Sequence, residues 1–455
     1  MDGAMLNAAV TPPKLMPSVL GPDLPKQRAA DLPVIVSLPI KDLFADISQE
    51  IYLDGGDLSV VRQATEKALV NVDMCMIKPQ DTVNLLCSEH GFSILGGEPY
   101  AQMVKTINDV VQKRTGCQKI RLIFCVGAGL TEARTMIPYY GLDSYFERIV
   151  STWPFDKGVA IETDIGTLYG LKRVYDADWI IHACYTDPRE VYFHRQINRI
   201  MKSFAMSYAR YETRSVYHLN FASRSSNIVP RAIFESQFVQ DRFAFACCIE
   251  TSPAGITGIS ADNDLRRLDR RITKTTLKDY GKLMRLFAEI DECVAVLDGM
   301  RWASYIHGGG VTFGWLCKAN IDYFNLDISG RAEGYPQANP AVKALVVNYI
   351  WRDQFMEYIQ SYPTIVAGRD IAKGVSKAVS KNGIIAEDLE SAMETAFHIA
   401  KTDKAIVFDG SYGSINLTPS MGEFLMEHAP GVSQKVDNDL LPLWLKQRGI
   451  DPKKD

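Results

Sequence analysis

The sequence predicts an α/β protein built as two α/β domains with mainly parallel sheets and a cleft between them. Three observations predict it. Apolar runs of strand length alternate with amphipathic stretches of helix length along most of the chain. A long charged helical block near 260–290 separates two such alternations. The length, 455 residues, suggests two or three domains at roughly 150 residues each and is ample for a large core.

Residues 1–31 carry several prolines and little periodic pattern, and predict a flexible N-terminal tail. A first domain is expected over 32–285. It opens with strand-like LPVIVSLPI (32–40), followed by the buried strand TVNLLCS (82–88) and a helix through YAQMVKTINDVVQKR (100–114). KIRLIFCVGAG (119–129) reads as a strand with a glycine turn, and TEARTMIPYYG as a helix stopped by glycine. GVAIETD (158–164) and DADWIIHACY (176–185) supply two further strands, and FAFACCIE an apolar strand. The helical block DLRRLDRRITKTTLKDYGKLMRLF is charged on one face. A second domain, 286–455, is expected to begin at the strand ECVAVLDG (292–299). It continues through the amphipathic helix 387–403 into the strand KAIVFDGS (404–411) and closes on helical MGEFLMEHAPG.

Composition excludes several classes. A net charge of −4 and near-neutral balance argue against a nucleic-acid or anionic-membrane binder. Polar residues interrupt every apolar run short of the roughly 18 residues of a membrane span. The N-terminus lacks a basic start followed by an apolar block, so no secretory signal is expected. Nine cysteines show no two-residue spacing, which predicts reduced cytoplasmic thiols. No P-loop, HExxH or GxSxG sequence occurs.

Chemistry concentrates in 181–218. This segment holds His182, His194 and His218, three of only seven histidines, with Arg189, Arg195, Arg199, Arg210, Arg214 and Lys202. It follows an apolar strand, where parallel α/β sheets take ligands, and its charge suits a carboxylate or phosphate. A solvated amphipathic helix carrying Arg195, Arg199 and Lys202 is the plain alternative. The turn Gly127–Ala128–Gly129 could hold a phosphate on backbone N–H groups, although a structural turn is the favoured reading of the glycines alone.

In the order CSEHGF (87–92), FCVGAGLTEA (124–133), DADWIIHACYTDPREVY (176–192), Lys202 and His218, the chain resembles the nickel-dependent lactate racemases and their relatives, the 2-hydroxyacid racemases and epimerases. The lysine-to-histidine spacing of sixteen and the closing helix, strand and LTPSMGEFL extend the resemblance over most of 80–425.

The resemblance implies a nickel pincer nucleotide, derived from nicotinate mononucleotide, with Lys202 as covalent anchor, His218 as nickel ligand, and Gly127 and Gly129 in the cofactor loop. It implies a small-molecule 2-hydroxy acid as substrate, a sugar acid among the candidates, and cofactor-making enzymes as partners. The pincer would take a hydride from C2 to give a 2-keto acid and return it to either face, while histidines move the hydroxyl proton. His90 stands where the family carries an arginine, and Arg189 where it carries a histidine. His182 or His194, with His90, is then expected to handle protons. Arg189 and Arg301 are expected to pair with the substrate carboxylate. One unbroken helix would separate Lys202 from His218 by about 24 Å at roughly 1.5 Å per residue, so this reading requires the chain to fold back between them. Two other readings of the same residues are a nicotinamide-dependent oxidoreductase using the 127–129 loop, and a non-catalytic binder of an anionic metabolite.

Overall fold

The strands of the computed structural model follow the apolar runs. In chain order they are β1 (Val36–Pro39), β2 (Thr82–Ser88), β3 (Lys119–Cys125), β4 (Ile149–Thr152), β5 (Gly158–Thr163), β6 (Gly166–Leu171), β7 (Trp179–Tyr185) and β8 (Phe243–Ser252). They continue with β9 (Gly255–Asp262), β10 (Cys293–Leu297), β11 (Val342–Val347), β12 (Thr364–Ala367), β13 (Ile384–Ala386), β14 (Ala405–Phe408) and β15 (Ser414–Leu417). The structure describes residues 27–53, 55–127, 130–186, 200–220, 225–298, 316–317, 319, 321–327, 338–348, 361–374 and 383–451.

The protein is α/β, with mixed, mostly parallel sheets. The first sheet runs β4-β3-β2-β7-β8-β9 and is parallel except for its edge strand β9. The second runs β1-β15-β14-β10-β11-β12-β13, parallel from β14 to β13 and antiparallel at β15 and β1. Central strands such as β10 and β14 are buried along their whole length, as strands covered on both faces must be.

Each sheet reverses its winding once. The chain builds β2, β3 and β4 outward, then returns to lay β7 on the other side of β2. In the second sheet it builds β10 through β13, then lays β14 on the far side of β10. Adjacent loops diverge at such a reversal and leave a crevice at the strands' carboxyl ends.

The helix Leu265–Phe287 joins the two layers. Its N-cap Asp264 accepts from the amides of Arg266 (2.9 Å) and Arg267 (3.3 Å). Its apolar face, including Leu277, Leu283 and Phe287, shares one core with Leu85 and Cys247 of the first sheet and Cys293 and Leu345 of the second. Lys282 on this helix is fully buried, and its ammonium donates to Asp46, to Asp437 (2.7 Å) and to Ser433 (2.8 Å). All three ammonium hydrogens thus have acceptors, as a buried cation requires.

Three placements differ from the sequence reading. The 36–39 strand, expected to open the first domain, pairs antiparallel with β15 at the edge of the second sheet. The 158–164 strand forms a separate two-stranded hairpin with β6 instead of joining the parallel sheet. Of the expected flexible tail, residues 27–31 are packed: Ala29–Asp31 form a short 3-10 turn and Ala29 is fully buried.

Candidate functional site

The spatial order of the strands brings three loops to the crossover of the first sheet. β2 ends at Ser88 and runs directly into the turn Glu89–Ser93, which carries His90. β3 ends at Cys125 and is followed by Val126 and Gly127. β7 ends at Tyr185, followed by buried Thr186.

Glu89 and Gly127 fix the first two loops to each other. The Gly127 amide donates to the Glu89 carboxylate, and His90 Nδ1 lies 3.7 Å from the same carboxylate oxygen. A Cβ on Gly127 would collide with that oxygen and crowd the His90 ring at 3.1 Å, so only glycine fits this approach. Gly127 is therefore a close-packing residue whose amide already serves Glu89. Gly129 lies outside the described residues.

Arg214 closes the other side of the turn. Its Nε donates to Ala209 O (3.0 Å), Nη1 to Gly127 O (2.6 Å) and Nη2 to Val126 O (3.4 Å). Burial lowers its pKa to about 10, and the nearby Glu89 and Cys125 oppose that shift, so the guanidinium stays charged at neutral pH. Glu89 and Arg214 were not assigned roles from sequence. The available signal was a carboxylate at the end of an apolar strand, in CSEHGF.

The 200–220 segment is two helices, not one. Lys202–Ala205 and Tyr211–Leu219 are separated by Met206–Arg210. The break has a local cause. Strand β6 captures the intervening backbone: Leu171 N donates to Tyr208 O (2.9 Å) and Arg210 N to Tyr169 O (2.9 Å). Ser207 Oγ lies 3.0 Å from Ser88 Oγ, which ties the turn to the end of β2.

The fold-back brings Lys202 to the ring of Tyr217, the residue next to His218. Lys202, only 6% exposed, places its ammonium 5.6 Å from the centre of the Tyr217 ring, within cation–π range. The His218 ring meets the same phenol edge-on, with centroids 5.1 Å apart. His218 is exposed at the last turn of its helix.

His182 does not belong to this group. It is fully buried in the middle of β7. Nδ1 lies 2.7 Å from Tyr208 Oη and Nε2 lies 2.7 Å from Ile200 O. A carbonyl only accepts, so Nε2 donates to Ile200 O. Both nitrogens are engaged and neither faces an open space. This engagement gives His182 a structural part in joining β7 to Tyr208 and Ile200.

Arg189, His194 and Arg301 lie outside the described residues. Among the described residues no three of histidine, cysteine, aspartate and glutamate converge as a metal-holding group. His398 is exposed, and His428 is stacked on Phe424 with Nδ1 2.8 Å from its carbonyl. The described cysteines are free thiols, and all but Cys75 are buried. No helix among the described residues is long and apolar enough to cross a membrane. No protein-family model matches the chain, and no curated protein is significantly similar to it.

Proposed function

We propose that the protein is an isomerase, a racemase or epimerase acting at C2 of a 2-hydroxy acid with a nickel pincer nucleotide. One observation carries the reading: the break at Met206–Arg210 turns the chain back so that Lys202 meets the ring of Tyr217, the residue next to His218. A lysine and a histidine sixteen apart on one helix could not share a bound group, and the break between the two helices removes that obstacle. The residues fit the group in this respect. Lys202 would hold it through its amine, and His218 would supply a neutral imidazole, a suitable nickel ligand.

When bound, the nucleotide supplies reversible hydride acceptance at the substrate C2. The chain's own residues bind and manage protons. His90, at the crossover and beside Glu89, is the described histidine best placed to take the hydroxyl proton and return it. The Glu89–Gly127–Arg214 cluster fixes the loop positions and keeps this turn rigid. His194, Arg189 and Arg301 retain their proposed parts in proton transfer and carboxylate pairing. The buried free thiols suit a cytoplasmic site of action.

The oxidoreductase reading loses support because the Gly127 amide, which a dinucleotide phosphate would need, is held by Glu89. The non-catalytic binder gains one observation, the full engagement of His182.

The test is production of the protein alongside cofactor-making enzymes, followed by intact mass, nickel analysis and C2 proton exchange in heavy water. A nucleotide adduct lost in Lys202→Ala, nickel lost in His218→Ala, and exchange of a hydroxy acid are expected. An unmodified Lys202 with no bound nickel would sink the proposal. Thermal stabilisation by a hydroxy acid without exchange would point to the binder instead.

A further inference from the structure

The apolar strands β7 and β8 both carry cysteine, and the sheet sets two of these residues side by side. Successive side chains along a strand point to opposite faces. Cys247 therefore joins the core that holds Leu85 and Cys293, whereas Cys248 turns to the other face with Ala246, Ile180 and Cys184. The parallel register makes Cys184 and Cys248 direct partners. Among the described strand pairs they are the only two cysteines opposite each other.

Neighbouring strands lie about 4.8 Å apart, inside the roughly 4.4–6.8 Å between Cα atoms that a disulfide spans. The two thiol groups are hydrogen-bonded to each other, and Cys248 Sγ also lies 3.5 Å from Ile249 O. Burial raises the pKa of both. At Cys184 the side chains of Cys248 and His182 outweigh burial and hold the pKa below the ordinary thiol value, while Cys248 stays well above it. One sulfur is thus set to ionise and its neighbour to keep its proton, the division of labour of a nucleophilic and a resolving cysteine.

The pair lies near the carboxyl end of the sheet. Cys184 stands one residue before the end of β7 at Tyr185 and is 3% exposed, while Cys248 is fully buried. Just beyond them Thr186 N donates to Ile249 O at 2.9 Å, which joins the two strand ends. A link between the sulfurs would act where the chain leaves β7 for 187–199, the segment that carries Arg189 and His194. Hydrogen peroxide is close to water in size, so a small local opening of the strand end suffices to admit it.

We propose that Cys184 and Cys248 are a reversible oxidation site, at which hydrogen peroxide converts the thiol pair to a cross-strand disulfide. The Cys184 thiolate attacks one peroxide oxygen: an S–O bond forms, the O–O bond breaks, and the leaving hydroxide takes up the proton released by Cys184 as water. The Cys248 sulfur then displaces the hydroxyl of the sulfenic acid. An S–S bond forms, the S–O bond breaks, and the Cys248 proton leaves with the hydroxide as a second water. Two thiols lose two electrons and two protons, and one peroxide becomes two waters. A thiol reductant reverses the change, as for the transient disulfides of reducing compartments. The proposal is independent of the nickel reading, since it involves neither Lys202 nor His218.

Two measurements on the full chain test it. The reduced protein is treated with millimolar hydrogen peroxide, quenched in acid, alkylated and mapped by mass spectrometry without reduction. A Cys184–Cys248 link lighter by two hydrogens is expected, lost again on treatment with dithiothreitol. It should form at least about tenfold faster than Cys87 and Cys293 are oxidised, because those fully buried thiols react only when the core opens. Oxidation of exposed Cys75 with Cys184 and Cys248 still free, a link from Cys184 to any other cysteine, or a rate equal to that of Cys87 would each overturn the proposal. In Cys248→Ser the sulfenic acid has no resolving partner, so dimedone should label Cys184 about tenfold or more above the unaltered chain. Equal labelling of the two proteins counts against the assigned roles and overturns it as well. Should Cys248→Ser fail to fold, the mapping of the unaltered chain still decides.

Discussion

Replacing Asp279 by asparagine should stabilise the protein at neutral pH and do little at pH 4. Asp279 lies on the helix that joins the two sheets and is 1% exposed. One carboxylate oxygen accepts from Ser48 N at 3.2 Å, while the other is buried without a partner. Burial raises its pKa from 3.8 to about 6, against the opposing pull of the Ser48 hydrogen bond and of Lys278 and Lys282. At about 1.4 kcal/mol per pH unit, keeping this carboxylate ionised in the fold costs about 3 kcal/mol. The folded chain holds a proton between pH 4 and 6 that the unfolded chain has released. Stability therefore falls as pH rises through that window, and the penalty is complete above about pH 6. Asp279→Asn keeps the acceptor for Ser48 and removes the titration. Urea unfolding followed by tryptophan fluorescence at pH 4 and 7.5 should show its advantage growing by about 2–3 kcal/mol between the two. An advantage that does not change with pH, or one larger at pH 4, would refute the reasoning.

His182→Phe should be destabilised by about 2–4 kcal/mol, since Tyr208 Oη and Ile200 O would lose their buried partner; an unchanged melting temperature would return His182 to the list of open catalytic candidates. Gly127→Ala should lose about 1–3 kcal/mol by forcing Glu89 from its place, and Glu89→Gly in the same chain should recover part of the loss in a double-mutant cycle. Arg214→Met should cost about 2–4 kcal/mol, because three carbonyls lose their donor. Chemical unfolding of Arg214→Lys, which keeps the charge but cannot reach all three carbonyls, should fall between Arg214→Met and the unaltered protein.

Much of the element inventory was legible in the sequence because burial leaves a mark in composition. TVNLLCS coincides with β2, and the charged-faced block at 260–290 contains the helix Leu265–Phe287. The segment rich in histidine and basic residues was also legible, since His182, Lys202 and His218 stand close in sequence. Individual roles were not. His182 sits in an apolar run, which was a hint of a core position, but its engagement depends on Tyr208 reaching it from a separate turn.

The sequence by itself determined the α/β class, most strands and helices, and the residue types available for chemistry, because periodicity and polarity are local properties of the chain. Tertiary structure alone decided which strand lies beside which: apolar pattern says that Val36–Pro39 is buried, not that it pairs with Ser414–Leu417. It decided that β6 would interrupt the helix between Lys202 and His218, since a backbone hydrogen bond from a distant strand carries no trace in local propensity. It also decided that Arg28 would meet Asp409 across 381 positions, because charge in a sequence shows how much is present, while only the fold shows what it faces.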